Sequence, residues 1–125
     1  MSALPRLGFL GLGWIGRHRL RSLVDERACE VLVLADPSDE ARQAAQAIVP
    51  TAAAAATLDE LLAYDLDGVV IATPSALHAQ QSLQVLERRI AVFCQKPLAR
   101  TAQETRAIVD AARRADRLLG CDLSY

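Results

Sequence analysis

The sequence predicts an α/β fold: a doubly wound parallel sheet of about six strands with helices on both faces. Three observations carry that prediction. Short, continuous apolar runs alternate along the chain with helix-patterned segments. The first run opens directly into a glycine-rich turn, and the second closes on an acid. The runs are also apolar at successive positions rather than at every second one, as in strands buried on both faces.

The first strand is the run Leu7–Leu10. It leads into Gly11-Leu12-Gly13-Trp14-Ile15-Gly16, a G-x-G-x-x-G turn placed directly before a helical pattern. Each glycine has a physical reason. Gly11 permits the tight turn, Gly13 lets a pyrophosphate approach the backbone, and Gly16 lets helix and strand pack closely. Leu20, Leu23 and Val24 then make one apolar helix face. The second strand, Val31–Ala35, ends on Asp36, which lies 20 residues beyond Gly16. A carboxylate there accepts hydrogen bonds from an adenosine ribose diol, and the helix start offers N–H groups and a positive dipole end to phosphate. Strand, glycines, helix and acid in this order predict a bound dinucleotide.

Ser38 opens the next helix, with Asp39 and Glu40 in its first turn. Ala52–Ala56 lies between Pro50 and Thr57 and reads as a short extended connection or edge strand. Thr57-Leu-Asp-Glu60 and Thr101-Ala-Gln-Glu104 both fit the capping box. The run Gly68–Ala72 gives a strand ended by Thr73 and Pro74, with Ser75 as the cap of a following helix. Ala91–Cys94 gives another strand, followed by Gln95-Lys96-Pro97. Ile108, Ala111, Ala112 and Ala115 form a helical stripe, and Leu118–Leu123 is the last apolar run.

Composition narrows the function classes. At 125 residues the chain is the size of one domain, and 52% apolar residues suffice for a core. Aromatics are only 4%, so Ala, Leu and Val must fill it. A formal net charge of −1 gives no electrostatic reason to bind nucleic acid or an anionic membrane. Cys29, Cys94 and Cys121 show no C-x-x-C spacing and read as reduced thiols of a cytoplasmic protein, with no metal role. No apolar run reaches the roughly 18 residues that cross a bilayer. Arg6 with the apolar residues after it superficially matches a secretion signal, but glycines at fingerprint spacing and no small-residue cleavage pattern argue against one.

Together, the glycine turn, Ala72-Thr-Pro-Ser-Ala-Leu-His78, Cys94-Gln-Lys-Pro97 and Asp122-Leu-Ser-Tyr125 resemble the Gfo/Idh/MocA oxidoreductases. The likeness covers essentially the whole chain, as the N-terminal half of such an enzyme. It implies a Rossmann domain over residues 1–125, with the family's C-terminal substrate domain absent from this chain. It further implies that Gly11 through Gly16 hold the pyrophosphate and Asp36 the adenosine ribose, which favours NAD over NADP. Thr73, Pro74 and Ser75 would line the cofactor, with His78 close behind. Lys96 would be the active-site lysine of an E-K-P-like motif, contacting nicotinamide ribose and reacting hydroxyl beside Gln95. The Lys96–Pro97 bond is a candidate cis peptide.

The implied activity is hydride transfer between nicotinamide and a sugar, cyclitol or related polyol, with Lys96 stabilising charge on the reacting oxygen. Two positions depart from the family pattern: Gln95 stands where Glu is usual, and Ser75 where Asn is common. Without the resemblance, Lys96 reads as a solvated loop residue; for Asp36 the alternative to ribose binding is a simple turn residue before Pro37. His78 either lines the cofactor or packs beneath the sheet edge. His18 reads as a surface residue, and Trp14 as a shield over the turn. The isolated chain is expected to bind cofactor without turnover and to self-associate through apolar surface that a second domain would cover. One alternative is a non-catalytic nucleotide-binding module, a redox sensor or a subunit. Another is an S-adenosylmethionine-dependent methyltransferase, which the full glycine spacing and Lys96-Pro97 disfavour.

Overall fold

The computed structural model describes residues 4–122. Six parallel strands form one sheet: β1 (Arg6–Leu10), β2 (Glu30–Ala35), β3 (Ala53–Ala55), β4 (Gly68–Ile71), β5 (Ala91–Gln95) and β6 (Leu119–Asp122). The strand order is β3-β2-β1-β4-β5-β6, so the chain reverses direction across the sheet between β1 and β4. The helices are α1 (Trp14–Asp25), α2 (Asp39–Ile48), α3 (Leu58–Leu61), α4 (His78–Glu87) and α5 (Ala102–Ala115). Ala53–Ala55 is indeed an edge strand, because its backbone pairs with Val33–Ala35 despite the helix propensity of alanine.

The sheet separates two cores. Phe9, Leu34 and Val70 meet Leu20 of α1 and Ala45 of α2 on one face. Val33, Val69, Ile71, Val92 and Cys94 meet α3, α4 and α5 on the other, through Leu61, Val85 and the stripe Ile108, Ala111 and Ala112. Neighbouring residues on one strand thus enter opposite cores, and this is why the runs are apolar at every position. Leu23 and Val24 pack at the rim of the first core, completing the apolar face of α1. Pairing of β1 with β2 slips between Leu7 and Gly8, a bulge that leaves Leu32 without a register partner on β1.

Capping differs from expectation in two respects. Thr57 and Thr101 accept the N–H groups of Glu60 and Glu104 at 3.2 and 3.1 Å. The two glutamates, however, accept from Ala56 N–H and Arg100 N–H, the residues before the caps, both at 3.0 Å. Ser75 does not cap at all. It is the first residue of a 3-10 turn, Ser75–Leu77, whose N-cap is Pro74. The Leu77 N–H donates to the Pro74 carbonyl at 2.9 Å, so a backbone oxygen takes the role expected of the serine side chain. Ser38 does cap α2, accepting the Ala41 N–H at 3.1 Å.

Strand bounds differ from the apolar runs by about a residue: β1 and β2 start one residue earlier, β5 ends one later at Gln95, and β4 stops at Ile71 in place of Ala72. The last run is a strand over Leu119–Asp122, and Leu123, Ser124 and Tyr125 lie outside the described residues. Among the described residues no helix is long and apolar enough to cross a membrane.

Candidate functional site

Ligands of open α/β sheets sit beyond the C-terminal strand ends, where the winding direction reverses. Here that point is the gap between the ends of β1 and β4, and two turns meet in it. Gly11 follows β1 with φ +95°, a conformation that side chains with a Cβ rarely adopt. A Cβ on Gly11 would lie 2.5 Å from the Ala72 carbonyl carbon and 2.7 Å from Thr73 N. The glycine turn and the turn after β4 are therefore in direct backbone contact.

The other two glycines differ sharply. A Cβ on Gly16 would stand 2.1 Å from the Gly11 carbonyl oxygen, so the first turn of α1 rests on the turn that precedes it. The close approach is thus chiefly to Gly11, with Ala72, the residue after β4, farther away at 3.5 Å. A Cβ on Gly13 would meet nothing within 4 Å. Gly13 is the N-cap of α1 and supplies no side-chain cap, and the first turn carries no acid. The opening N–H groups of α1 therefore face open space with their positive dipole end unopposed, as an anion site requires. By contrast α2, α3 and α5 each have a capping hydroxyl.

Asp36 stands across from this opening. Its Oδ2 accepts the Leu12 N–H at 2.8 Å and its Oδ1 accepts the Ser38 N–H at 2.8 Å. Each oxygen retains a lone pair for another donor. Two arginines that sequence reading missed complete the turn: Arg17 donates to the Leu12 carbonyl at 3.0 Å, and Arg42 to the Asp36 carbonyl at 2.7 Å. Trp14 is 73% exposed and stacks on exposed His18, ring centroids 5.4 Å apart, so its face covers the histidine. Ile15 is exposed beside it.

On the far side, Thr73 is half-buried while Pro74 and Ser75 are exposed. The Thr73 hydroxyl donates to Gln81 Oε1 at 2.5 Å, a contact that places Gln81 in the site's framework. His78 is fully buried, with Nδ1 2.6 Å from the Pro97 carbonyl and Nε2 2.7 Å from the Thr73 carbonyl. It packs beneath the sheet edge, and neither ring nitrogen is left for a ligand. Gln95 is half-buried at the end of β5, Lys96 is exposed, and the Lys96–Pro97 bond is cis. The structure thus gathers the glycine turn, Asp36, Thr73 and its neighbours at one end of the sheet, with Lys96 after the adjacent strand.

None of the cysteines forms a disulfide among the described residues; Cys94 lies in one core and Cys29 packs against the other. Cys94 and Cys121 are direct register partners on β5 and β6. Burial pushes the Cys94 thiol up to about 12; the nearby Ser82 hydroxyl opposes that shift, and Cys121 adds to it. No cluster of three or more His, Cys, Asp or Glu among the described residues could hold a metal.

Residues 5–123 match the family described as "Oxidoreductase family, NAD-binding Rossmann fold", GFO_IDH_MocA. The chain is 34% identical over 110 residues to the rhizopine catabolism protein MocA of Rhizobium meliloti, covering 87% of this chain and 34% of that protein. It is 35% identical over 109 residues to inositol 2-dehydrogenase of Agrobacterium fabrum, covering 85% and 32%. Among solved structures, the WlbA dehydrogenase of Chromobacterium violaceum, in complex with NADH and UDP-GlcNAcA, superposes with a TM-score of 0.91 at 28% identity. That match covers 98% of this chain and 36% of the other. The chain spans about a third of the length of these relatives.

Proposed function

The chain belongs to the Gfo/Idh/MocA oxidoreductases as their NAD-binding Rossmann domain, and from that premise we propose that it is the cofactor-binding part of an NAD-dependent oxidoreductase of sugars, cyclitols or related polyols. The observation that carries this reading is the uncapped start of α1 at Gly13, open on its outer side and flanked by Asp36. That geometry fits a dinucleotide. The N–H groups at the start of α1, those of Gly13, Trp14 and Ile15, hold the pyrophosphate, while Gly11 and Leu12 shape the turn through their bonds to Ala35 and Asp36. The free lone pairs of Asp36 accept the ribose hydroxyls and repel a 2′-phosphate, which favours NAD over NADP.

NAD, when bound, supplies the hydride acceptor. The protein's own residues orient and polarise. Thr73, Pro74 and Ser75 line the cofactor along the end of β4. Lys96, exposed after β5, donates to the reacting oxygen and stabilises its developing negative charge, with Gln95 beside it as a neutral neighbour. A proton acceptor and most of the substrate pocket come from a second domain beyond this one. The polyol class is supported by the relatives named for inositol and rhizopine.

Calorimetric titration with NADH and with NADPH tests the reading. Tighter NADH binding is expected, weakened in Asp36→Ala; absence of binding by either nucleotide overturns it. Gln95, where the family's acid is usual, favours one second reading: a nucleotide-binding module without turnover. Polyol oxidation by a longer protein carrying this domain would exclude that.

A further inference from the structure

The site as read above uses the turns after β4 and β5 but leaves unexplained what sets the distance between them. We propose that His78 is a positioning residue, doubly protonated, that ties the two turns together through both ring nitrogens. The inference rests on the reading of Thr73 and Lys96 as site residues, which it deepens.

Both partners of the ring are backbone carbonyl oxygens: Pro97 at 2.6 Å from Nδ1 and Thr73 at 2.7 Å from Nε2. A carbonyl only accepts. A neutral imidazole has one N–H, so its other nitrogen would turn a lone pair onto an oxygen lone pair at hydrogen-bond distance. Only the imidazolium satisfies both contacts, and lengths this short suit charge-assisted bonds. Among the described residues these carbonyls are the ring's hydrogen-bond partners. The buried charge is thus met by two converging dipoles at a fully enclosed site.

The placement gives this bond pair its consequence. Thr73 follows β4 and Pro97 follows β5, adjacent strands in the sheet, and His78 begins α4, which packs over both. Gln81, one turn along α4, holds the Thr73 hydroxyl at 2.5 Å. The first two turns of α4 therefore grip Thr73 by side chain and carbonyl, and grip Pro97 by carbonyl alone. Lys96 precedes Pro97, so the strap fixes where the lysine leaves the sheet relative to the Thr73 turn.

Long-range 1H–15N correlation spectra of the free chain at neutral pH test the proposal directly. His18 and His78 are the two histidines in the sequence, and His18→Gln assigns the signals. Two protonated-type ring nitrogens are expected for His78, and one pyridine-type nitrogen overturns the proposal. In His78→Gln the amide resonances of Thr73 and Leu98 should shift together, and NADH affinity should fall about tenfold. A shift confined to one turn also overturns it. Should His78→Gln fail to fold, the ring signature of the wild-type chain still decides. Wild-type titration with NADH separates the two readings: a doubly protonated His78 without NADH binding leaves the strap standing and sinks the proposed function.

Discussion

Oδ2 of Asp36 accepts the Leu12 N–H at 2.8 Å, which ties the end of β2 to the middle of the glycine turn. The carboxylate that would take the ribose is thus also part of what shapes the pyrophosphate turn. Its other oxygen holds the Ser38 N–H, and Leu12 itself is fully buried. Replacement by Ala strips a charged acceptor from two backbone donors, so Asp36→Ala should lose about 1–3 kcal/mol of stability. NADH affinity should fall by at least about tenfold, since one substitution removes both a ligand contact and the turn's anchor. Urea unfolding and calorimetry on the same samples check the two effects.

Gly13 and Gly16 lie three residues apart and predict opposite outcomes. A methyl on Gly16 would meet the Gly11 carbonyl oxygen at 2.1 Å, a backbone atom that cannot move aside without breaking the turn. Gly16→Ala should therefore unfold the domain or lower its melting temperature by many degrees. A methyl on Gly13 meets nothing, and φ is −68°, a value open to any residue. Gly13→Ala should melt within about five degrees of wild type, the cost at an N-cap being a few tenths of a kcal/mol to about 1. Its NADH binding should nevertheless weaken severely, because the methyl occupies the space proposed for phosphate. Equal loss of stability in both variants would contradict the assignment of that space.

The main features of the fold were legible because they depend on local physics. Double burial makes β1, β2, β4 and β5 apolar at nearly every position, and the spacing of Gly11, Gly13 and Gly16 is set by a single turn. The Ser38, Thr57 and Thr101 caps read correctly for the same reason: a hydroxyl and an N–H three residues on are neighbours whatever the rest of the chain does. The failures involve backbone oxygens, which leave no mark in a sequence. Ser75 lost its capping role to the Pro74 carbonyl. Arg17, Arg42 and His78 each find carbonyls that only the folded chain brings within reach. Gln81 shares one face of α4 with His78, and that three-residue spacing was a usable signal once His78 had been singled out.

Thr101 offers a check on capping that leaves the nucleotide turn untouched. Its hydroxyl accepts the Glu104 N–H at 3.1 Å at the start of α5, whose Ile108, Ala111, Ala112 and Ala115 are buried. Thr101→Ala should cost about 1 kcal/mol, the usual worth of an N-cap hydroxyl. Chemical denaturation should show that loss with an unchanged slope, and NADH affinity should stay at the wild-type value. A tenfold change in affinity would mean that the α5 cap also supports the Lys96–Pro97 turn that precedes it.

Cys94 carries the pH prediction. Its side chain is fully buried between β5 and the helices, and burial pushes the thiol up to about 12 from 9.0. The protonated form is therefore favoured by folding. Its contribution to stability is complete below the unfolded value and is lost as pH rises from about 9 toward about 12, where the unfolded chain ionises and the folded chain does not. Cys94→Ala should flatten that alkaline loss, at the expense of a small cavity at all pH values. Alkylation follows from the same cause, because the thiolate is the reacting species. At about pH 8, iodoacetamide should label Cys121, only partly buried, well before Cys94, and label both in denaturant. Peptide mapping by mass spectrometry reads the order, and prior labelling of Cys94 in the native chain would show that β5 and β6 separate in solution.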